Sequence, residues 1–572
     1  MSTRKSLCVR PGRRCLVLAL FAIAYTVVAG RAVDLQVLNK GFLQNQAEAR
    51  HLRVVKMPAH RGMILDRHGE PLAISTPIDS VWANPKQLNS VVKLHPVLAK
   101  LLDLKLESLR RLLAKQDSRE FVYLRRHVDP ALARQVRNAK IPGVYLQREY
   151  RRYYPAGEVM GHVVGFTNID DAGQEGMELA YDEWLQGRSG AKRVLIDGHR
   201  HVVKDVESIR TRRPGRELVL TIDRRIQYLA YRELKAAVQA HRARSGSVVT
   251  LDVRTGEILA VVNQPSYNPN NRHRKKSAAV RNRAITDVFE PGSALKPLTI
   301  AYALESGHYS PNTPIDTSPG ILAVGLNTVR DVRDFGVLNV SGVIQKSSNV
   351  GASKIALSMS PEGFWSLLSR VGFGTSTGSS FPGEAAGLLT HFESWDDIEL
   401  ATLSFGYGLS VTCLQLAQSY AMLAADGRRR PVSFVRQENI PVGERIISAT
   451  SAQQVRAMLE LAVGEGGTGK RAQIPGYRVA GKTGTVRKAV DGGYAGDRYS
   501  AIFAGLAPAS NPRLVTVVVI HEPSNGQYYG GQVAAPVFSR VMAGALRLMN
   551  IAPDRVVPQV PTQLHASLGN PA

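Results

Sequence analysis

Apolar and polar positions alternate differently in three parts of the chain. From Cys15 to Gly30 no residue is charged, and a broken apolar pattern continues through Ala32, Val33, Leu35, Val37 and Leu38, past Arg31 and Asp34. Arg4, Lys5, Arg10, Arg13 and Arg14 precede it. A basic start followed by an apolar helix is the pattern of a membrane anchor whose basic end stays in the cytoplasm. The uncharged run falls short of the roughly 20 residues that cross a bilayer, and snorkelling of flanking arginines extends it. A cleaved signal peptide is the rival, with its best site after Ala32. The expectation is a basic cytoplasmic tail over 1–14 and an uncleaved anchor over 15–38, with the rest of the chain exported.

Over residues 47–216 short β-like runs, such as Val202, Val203 and Val206, mix with Lys/Leu-rich helical stretches such as Leu94 to Leu113. This pattern predicts a mixed α/β module, and no catalytic constellation stands out in it. Arg61 to Ala73, with glycines at turns and an Asp66-Arg67 pair, and Arg152 to Gly157, followed by His162, are structural clasps on this reading. Pro214 and Gly215 then break the chain, and Asp223 or Thr221 caps a helix through Ile226, Leu229 and Leu234.

A second module, over 217–552, opens with a β-hairpin: Ser247 to Val253, a turn at Arg254 to Glu257, then Ile258 to Val262. Helical patterns fill its middle. Strands return around Arg478 to Thr485, at Tyr499 to Gly505 and at Leu514 to His521, and an apolar helix follows from about Ala534 to Met549. Strands at both ends of a helical middle predict one antiparallel sheet covered by helices. Prolines 553, 558, 561 and 571 mark 553–572 as a disordered tail.

At 572 residues the chain exceeds one hydrophobic core, so an α+β multidomain protein is expected. The 73 Lys and Arg against 47 Asp and Glu leave a net charge of +26, which favours anionic partners: nucleic acid, acidic lipid or a carboxylate-bearing polymer. No zinc-like Cys/His spacing and no aromatic-interleaved basic groove accompanies the charge, so nucleic acid is set aside. The run His273-Arg274-Lys275-Lys276 reads as a solvated loop, with contact to anionic wall or lipid as the alternative. Cys8, Cys15 and Cys413 are too few and too scattered for a disulfide framework, and Cys413 reads as a small buried filler.

Three short motifs carry chemistry. In Glu290-Pro291-Gly292-Ser293-Ala294-Leu295-Lys296-Pro297 a Pro-Gly turn leads into a helix. Pro297 fits best if that helix begins close to Ser293, where backbone N–H groups and the helix dipole favour negative charge. Lys296 lies one turn on, on the same face. If burial and nearby cations make it neutral it can take the serine proton. Ser347-Ser348-Asn349, 54 residues beyond Ser293, offers a hydroxyl for proton relay and an amide to orient a peptide. Lys482-Thr483-Gly484-Thr485 offers a cation, hydroxyls and a side-chain-free Gly484 on a strand beside which an extended substrate can lie.

In this order the motifs resemble the set of penicillin-binding proteins and class A β-lactamases. The chain looks like a class B penicillin-binding protein, and within that class like the septal division transpeptidases (FtsI type), over nearly its whole length. Arg281 to Ile285, Ser348 to Ser353 and Phe405 to Thr412 match as well, and Asn349, where elongation-type relatives carry Asp, leans toward division. The resemblance implies a serine β-lactamase-like transpeptidase domain above a non-catalytic, dimerisation-type pedestal, no metal or organic cofactor, and an anchor in the bacterial inner membrane with the catalytic domain in the periplasm. It implies that Ser293 attacks the penultimate D-Ala carbonyl of a peptidoglycan stem peptide, as transpeptidase or carboxypeptidase. Lys296 is then the base and Ser347 the shuttle; Asn349, Lys482, Thr483, Gly484 and Thr485 bind substrate. The N–H groups of Ser293 and Thr485 form the oxyanion hole. Whether Lys296 or another group takes the first proton stays open.

The same resemblance implies β-lactam inhibition, a polytopic glycan polymerase and other division proteins as partners, and no glycosyltransferase domain of its own. Two alternatives stand beside it. One is a non-catalytic β-lactam sensor or divisome scaffold. The other is a serine β-lactamase, against which the lack of a Glu-x-x-Leu-Asn segment between Asn349 and Lys482 argues.

Overall fold

In the computed structural model the described residues are 11–41, 52–57, 59–196, 202–271, 277–490 and 493–555. Arg4, Lys5, Cys8, Arg10, the run His273 to Lys276 and the tail beyond Arg555 lie outside them. The chain forms two compact units, one of residues 1–60 and 187–215, the other of 61–186 and 216–572.

In the first unit a helix over Pro11–Val33 runs on through a π-helical turn, Asp34–Leu38. The charges that interrupt the apolar run neutralise one another there. Arg31 Nη1 meets Asp34 Oδ2 at 2.6 Å, and Asn39 Nδ2 donates to Asp34 Oδ1 at 2.7 Å. The 27 residues Gly12–Leu38 are thereby long and apolar enough to cross a membrane. The shorter uncharged run understated the helix, because a charge paired one turn away does not end it. The unit also holds a three-stranded antiparallel sheet, Leu52–Met57 beside Gly190–Ile196 beside Val202–Arg210.

In the second unit the strand Pro71–Ala83 is flanked by Val122–Val128 and Val144–Tyr153, both antiparallel to it. Helices His95–Leu101, Leu106–Lys115 and Pro130–Ala139 bury Leu98, Leu109, Leu113 and Val136 against Val81. A buried ionic cluster ties the start of this region to its end. Arg61 Nε donates to Glu178 Oε2 at 2.7 Å and its Nη1 to Asp182 at 2.7 Å. Arg152 Nε donates to the other oxygen of Glu178 at 2.6 Å. His162, equally buried, hydrogen-bonds the Ala279 carbonyl at 2.8 Å, and burial pushes it down to about 4.

The rest of the unit is built on a five-stranded antiparallel sheet. Its strands are β1 (Ser245–Asp252), β2 (Ile258–Gln264), β3 (Ala480–Val490), β4 (Gly493–Ala507) and β5 (Leu514–His521), in the spatial order β2-β1-β5-β4-β3. Successive residues serve opposite cores. Val249, Ile502 and Val517 pack into one cluster, and their neighbours Val248, Phe503 and Val518 into the other. Both faces are covered, so stretches such as Ile258–Val262 and Val517–Ile520 are apolar at consecutive positions instead of alternating.

Helices α1 (Arg224–Ala240), α2 (Lys296–Glu305), α3 (Val340–Lys346), α4 (Asn349–Leu357), α5 (Cys413–Ala424), α6 (Ala449–Val463) and α7 (Ala535–Leu548) surround this sheet. α1 and α7 line one face and α5 crosses the other. Asp223 caps α1, accepting from Arg225 N at 2.9 Å, a contact worth about 1 kcal/mol. Burial pushes its carboxyl up, but hydrogen bonds from Arg225 and His68 outweigh that and hold it at about 2. Cys413 is buried in α5 and burial raises its thiol pKa, which keeps it an inert filler.

Candidate active site

Ser293 is held where three pieces of backbone cross. Gly292, at φ +54°, turns the chain, and a Cβ there would lie 2.3 Å from Val486 Cγ2 of β3. Gly292 N donates to Gly406 O at 3.0 Å, and a Cβ on Gly406 (φ +88°) would fall 2.2 Å from Gly292 O. Only glycine fits at either place. A single 3₁₀ turn, Gly292–Ala294, carries the serine into α2, which starts at Lys296 with Pro297 in its first turn. Tyr420 of α5 donates to Ala294 O at 2.9 Å and fixes that turn from below.

Lys296 is fully buried. Its Nζ lies 2.6 Å from Ser347 O, 2.7 Å from Asn349 Oδ1, 3.0 Å from Ser293 Oγ and 3.3 Å from Ser347 Oγ. The two shortest contacts are to oxygens that only accept, and they consume two N–H bonds. In a neutral amine the lone pair is then left for the hydroxyls. Burial, and after it the charge of Lys482, push the Lys296 pKa well below the usual lysine range, against a weaker opposing pull from Asp331.

Ser347 sits in the left-handed region, φ +63° and ψ 37°, in the turn between α3 and α4. Such a conformation costs about 1–3 kcal/mol for a non-glycine residue, and the Lys296 contacts to its carbonyl and hydroxyl help hold it. Its Oγ also takes a hydrogen bond from Lys482 Nζ at 2.9 Å, so one hydroxyl lies between two amines. Lys482 is fully buried, and burial lowers it to about 7.

Lys482, Thr483, Gly484 and Thr485 lie on β3, the last strand of the sheet, which pairs with β4 on one side only. Thr483 Oγ1 is 2.7 Å from Thr468 Oγ1, and Thr485 Oγ1 accepts from Gly530 N at 2.9 Å. A Cβ on Gly484 would meet Pro291 O at 2.9 Å, so its missing side chain brings β3 against the nucleophile turn. All eight residues singled out from the sequence therefore converge on one cleft. They can supply a nucleophile, an amine of lowered proton affinity, a relay and an edge strand.

Over residues 246–543 the sequence matches the family described as "Penicillin binding protein transpeptidase domain", and over 56–220 that described as "Penicillin-binding Protein dimerisation domain". It is 43% identical over 547 residues to the peptidoglycan D,D-transpeptidase FtsI of Escherichia coli K12, covering 95% of this chain and 92% of that one. The chain belongs to the class B penicillin-binding proteins. A further relative is the probable peptidoglycan D,D-transpeptidase PenA of Neisseria gonorrhoeae, 41% identical over 95% of this chain and 94% of its own. Among solved structures, the transpeptidase domain of Burkholderia pseudomallei penicillin-binding protein 3 is 44% identical with a TM-score of 0.55, over 59% of this chain and 98% of that one. A peptidoglycan synthetase of Bifidobacterium adolescentis is 25% identical with a TM-score of 0.71, over 88% and 98%.

Several residues of this penicillin-binding protein that shape the site gave no signal in the sequence. Asp331 takes the Ser348 hydroxyl hydrogen bond at 2.5 Å, the Val350 N–H at 3.1 Å and the Asn349 N–H, so one carboxylate satisfies the start of α4. Thr468 and Gly530 orient the two threonines of β3. Tyr499, Tyr528 and Tyr529 stack in series, with ring centroids 4.3 and 4.5 Å apart. Asn349 Nδ2 donates to Arg330 O at 3.1 Å, which leaves its second hydrogen for a ligand.

Proposed function

We propose that this protein is a peptidoglycan D,D-transpeptidase of the division septum, anchored in the inner membrane by its N-terminal helix with the N-terminus cytoplasmic and residues 47–552 in the periplasm. Residues 47–216 are the pedestal, 217–552 the transpeptidase domain and 553–572 a trailing segment. The observation that carries the reaction is the buried, charge-depleted Lys296 with Ser293 Oγ at 3.0 Å and Ser347 between it and Lys482.

Ser293 Oγ attacks the penultimate D-Ala carbonyl of a stem peptide and its proton passes to Lys296 Nζ. The N–H groups of Ser293 and Thr485 take the developing oxyanion charge. The C–N bond then breaks. The leaving D-Ala amine receives its proton through Ser347, and an acyl ester remains on Ser293. The stem lies along β3 with its carboxylate at Thr483 and Thr485, in the positive potential of Lys482, beside the backbone opened by Gly484, and Asn349 Nδ2 holds the acyl amide. An amine of a second stem attacks the ester, gives up its proton to the same relay and restores Ser293. Water in its place gives the carboxypeptidase reaction. β-Lactams take the donor's place, and glycan strands come from a polytopic polymerase acting with other division proteins.

Labelled penicillin tests this directly. Full-length protein should form a stable adduct that Ser293→Ala loses while keeping its melting profile. A folded wild type that takes no label sinks the assignment.

A further inference from the structure

A cavity of about 350 Å³ lies beside the nucleophile turn, between the segment running from Arg281 to Glu290 and the ends of β1, β3, β4 and β5. Its wall is shared with the active site, because Val486 lines it and also packs against Gly292. Five cations surround it: Arg244, Arg281, Arg283, Arg487 and Lys488. They come from three separate parts of the chain, and only the fold brings them together.

The carboxylates present do not balance them. Glu522 is shared by Arg244 at 3.0 Å and by Lys488, and Asp287 is held by Arg281 at 2.9 Å. Glu290 is engaged elsewhere, its Oε1 accepting from Gly408 N at 2.9 Å and from the Tyr494 hydroxyl at 3.0 Å, and burial raises its pKa. Arg283 is left at 3.9 Å from Asp287, and its Nη1 is buried without a hydrogen-bond partner among the described residues. A buried, unmatched guanidinium N–H is costly. After burial and the opposing pull of Asp287, Arg281 and Arg244 push the Arg283 pKa down, the mark of a crowded positive pocket. His521, half-buried with its Nδ1 2.9 Å from Ser500 Oγ, is lowered to about 4 by desolvation, so it adds no charge at neutral pH. An anion entering here would relieve repulsion and meet a forked donor.

We infer that this cavity is an acceptor subsite: it binds a carboxylate of the second stem peptide, whose amine resolves the Ser293 acyl-enzyme. The inference rests on the transpeptidase reading above and adds to it the place where the second substrate is recognised. The volume suits one carboxylate-bearing side arm rather than a whole stem, and the shared wall leads to the nucleophile. A carboxylate also fits the Arg fork better than a neutral peptide segment, which would leave the guanidinium desolvated and unpaired.

The test uses full-length protein whose Ser293 is capped by penicillin, so that the donor position is filled. A stem tripeptide with its free amine and carboxylates is titrated calorimetrically beside the same peptide with its carboxylates amidated. Wild type should bind the carboxylate form and discriminate against the amide. Arg281→Ala, a change at a largely exposed residue, and Arg283→Ala should each weaken carboxylate binding by about tenfold, and Arg283→Lys by less, because it keeps the charge and loses the fork. In turnover assays the same variants should raise the acceptor KM while penicillin labelling stays at the wild-type level. Equal binding of the two peptide forms by wild type, or undiminished binding by Arg281→Ala, overturns the subsite and leaves the Ser293 chemistry standing. A wild type without penicillin label overturns the transpeptidase reading instead.

Discussion

Two regions of this molecule bury charged side chains completely, and they do it by opposite rules. In the pedestal, Arg61 and Arg152 converge on Glu178, every member nearly inaccessible to solvent, and cations meet an anion at 2.6–2.7 Å. In the cleft, Lys296 and Lys482 are just as buried, yet both meet the neutral Ser347 hydroxyl, and burial lowers the proton affinity of each, with the charge of Lys482 adding to the effect at Lys296. The first arrangement matches opposite charges and serves as a strut. The second lowers the proton affinity of a buried amine, which under the proposed mechanism makes it the base. Burial alone does not tell a strut from a catalyst; the sign of the neighbours does.

Substitutions can break this contrast, and the largest effect is expected in the cleft. Lys296→Ala should slow penicillin acylation by about 10²–10⁴-fold, as removal of a general base does, with no loss of thermal stability. A large fall in melting temperature would instead place Lys296 with the struts.

In the pedestal the pattern should invert. Glu178→Ala leaves two buried guanidinium groups unpaired and should cost about 3–5 kcal/mol in urea denaturation. Acylation by the remaining folded protein should be unchanged.

A pH series then separates the two kinds of burial by sign. Lys482 has a folded pKa of about 7, below the usual 10.5, so between those values the unfolded chain binds more protons and stability rises with pH. Below the folded value the full cost of a buried ammonium is present. Lys482→Met should therefore gain most in melting temperature over wild type at pH 6 and less at pH 9. An advantage that grows with pH would contradict the assignment.

The smallest expected effect concerns Asp331. Asp331→Ala should cost about 0.5–2 kcal/mol, the range for a lost helix cap. Because Asp331 raises the Lys296 pKa, its removal should also move the midpoint of the acylation-against-pH profile to lower pH. Stopped-flow acylation over a pH range reads both Lys296 and Asp331.

The sheet and the eight motif residues were legible because their signals are local. Runs such as Val517 to Ile520 are apolar at every position when both faces are buried, and Ser293 and Lys296 are one helical turn apart. What escaped is what the fold assembles over distance. Asp331 precedes Ser348 by 17 positions and lies in a loop with no periodicity. Glu178 is 117 residues from Arg61, so the clasp could be suspected from the arginine but its partner could not. The net charge of +26 pointed to anionic partners without saying where, and the cation-lined cavity appears only when residues 244, 281, 283 and 488 meet. The anchor shows the reverse error, in which a charge count hid an Arg31–Asp34 pair that a helix tolerates.

The position of β3 at the sheet edge has an evolutionary corollary. A drug that docks along a strand leans on peptide groups, which no codon change can delete. Gly292, Gly406 and Gly484 close off the usual escape of adding bulk, since each is walled by neighbouring atoms at 2.2–2.9 Å from any new Cβ. Lineages under antibiotic pressure should accumulate changes at side-chain supports of the strand such as Thr468, whose hydroxyl meets that of Thr483 at 2.7 Å, while leaving the motif letters intact.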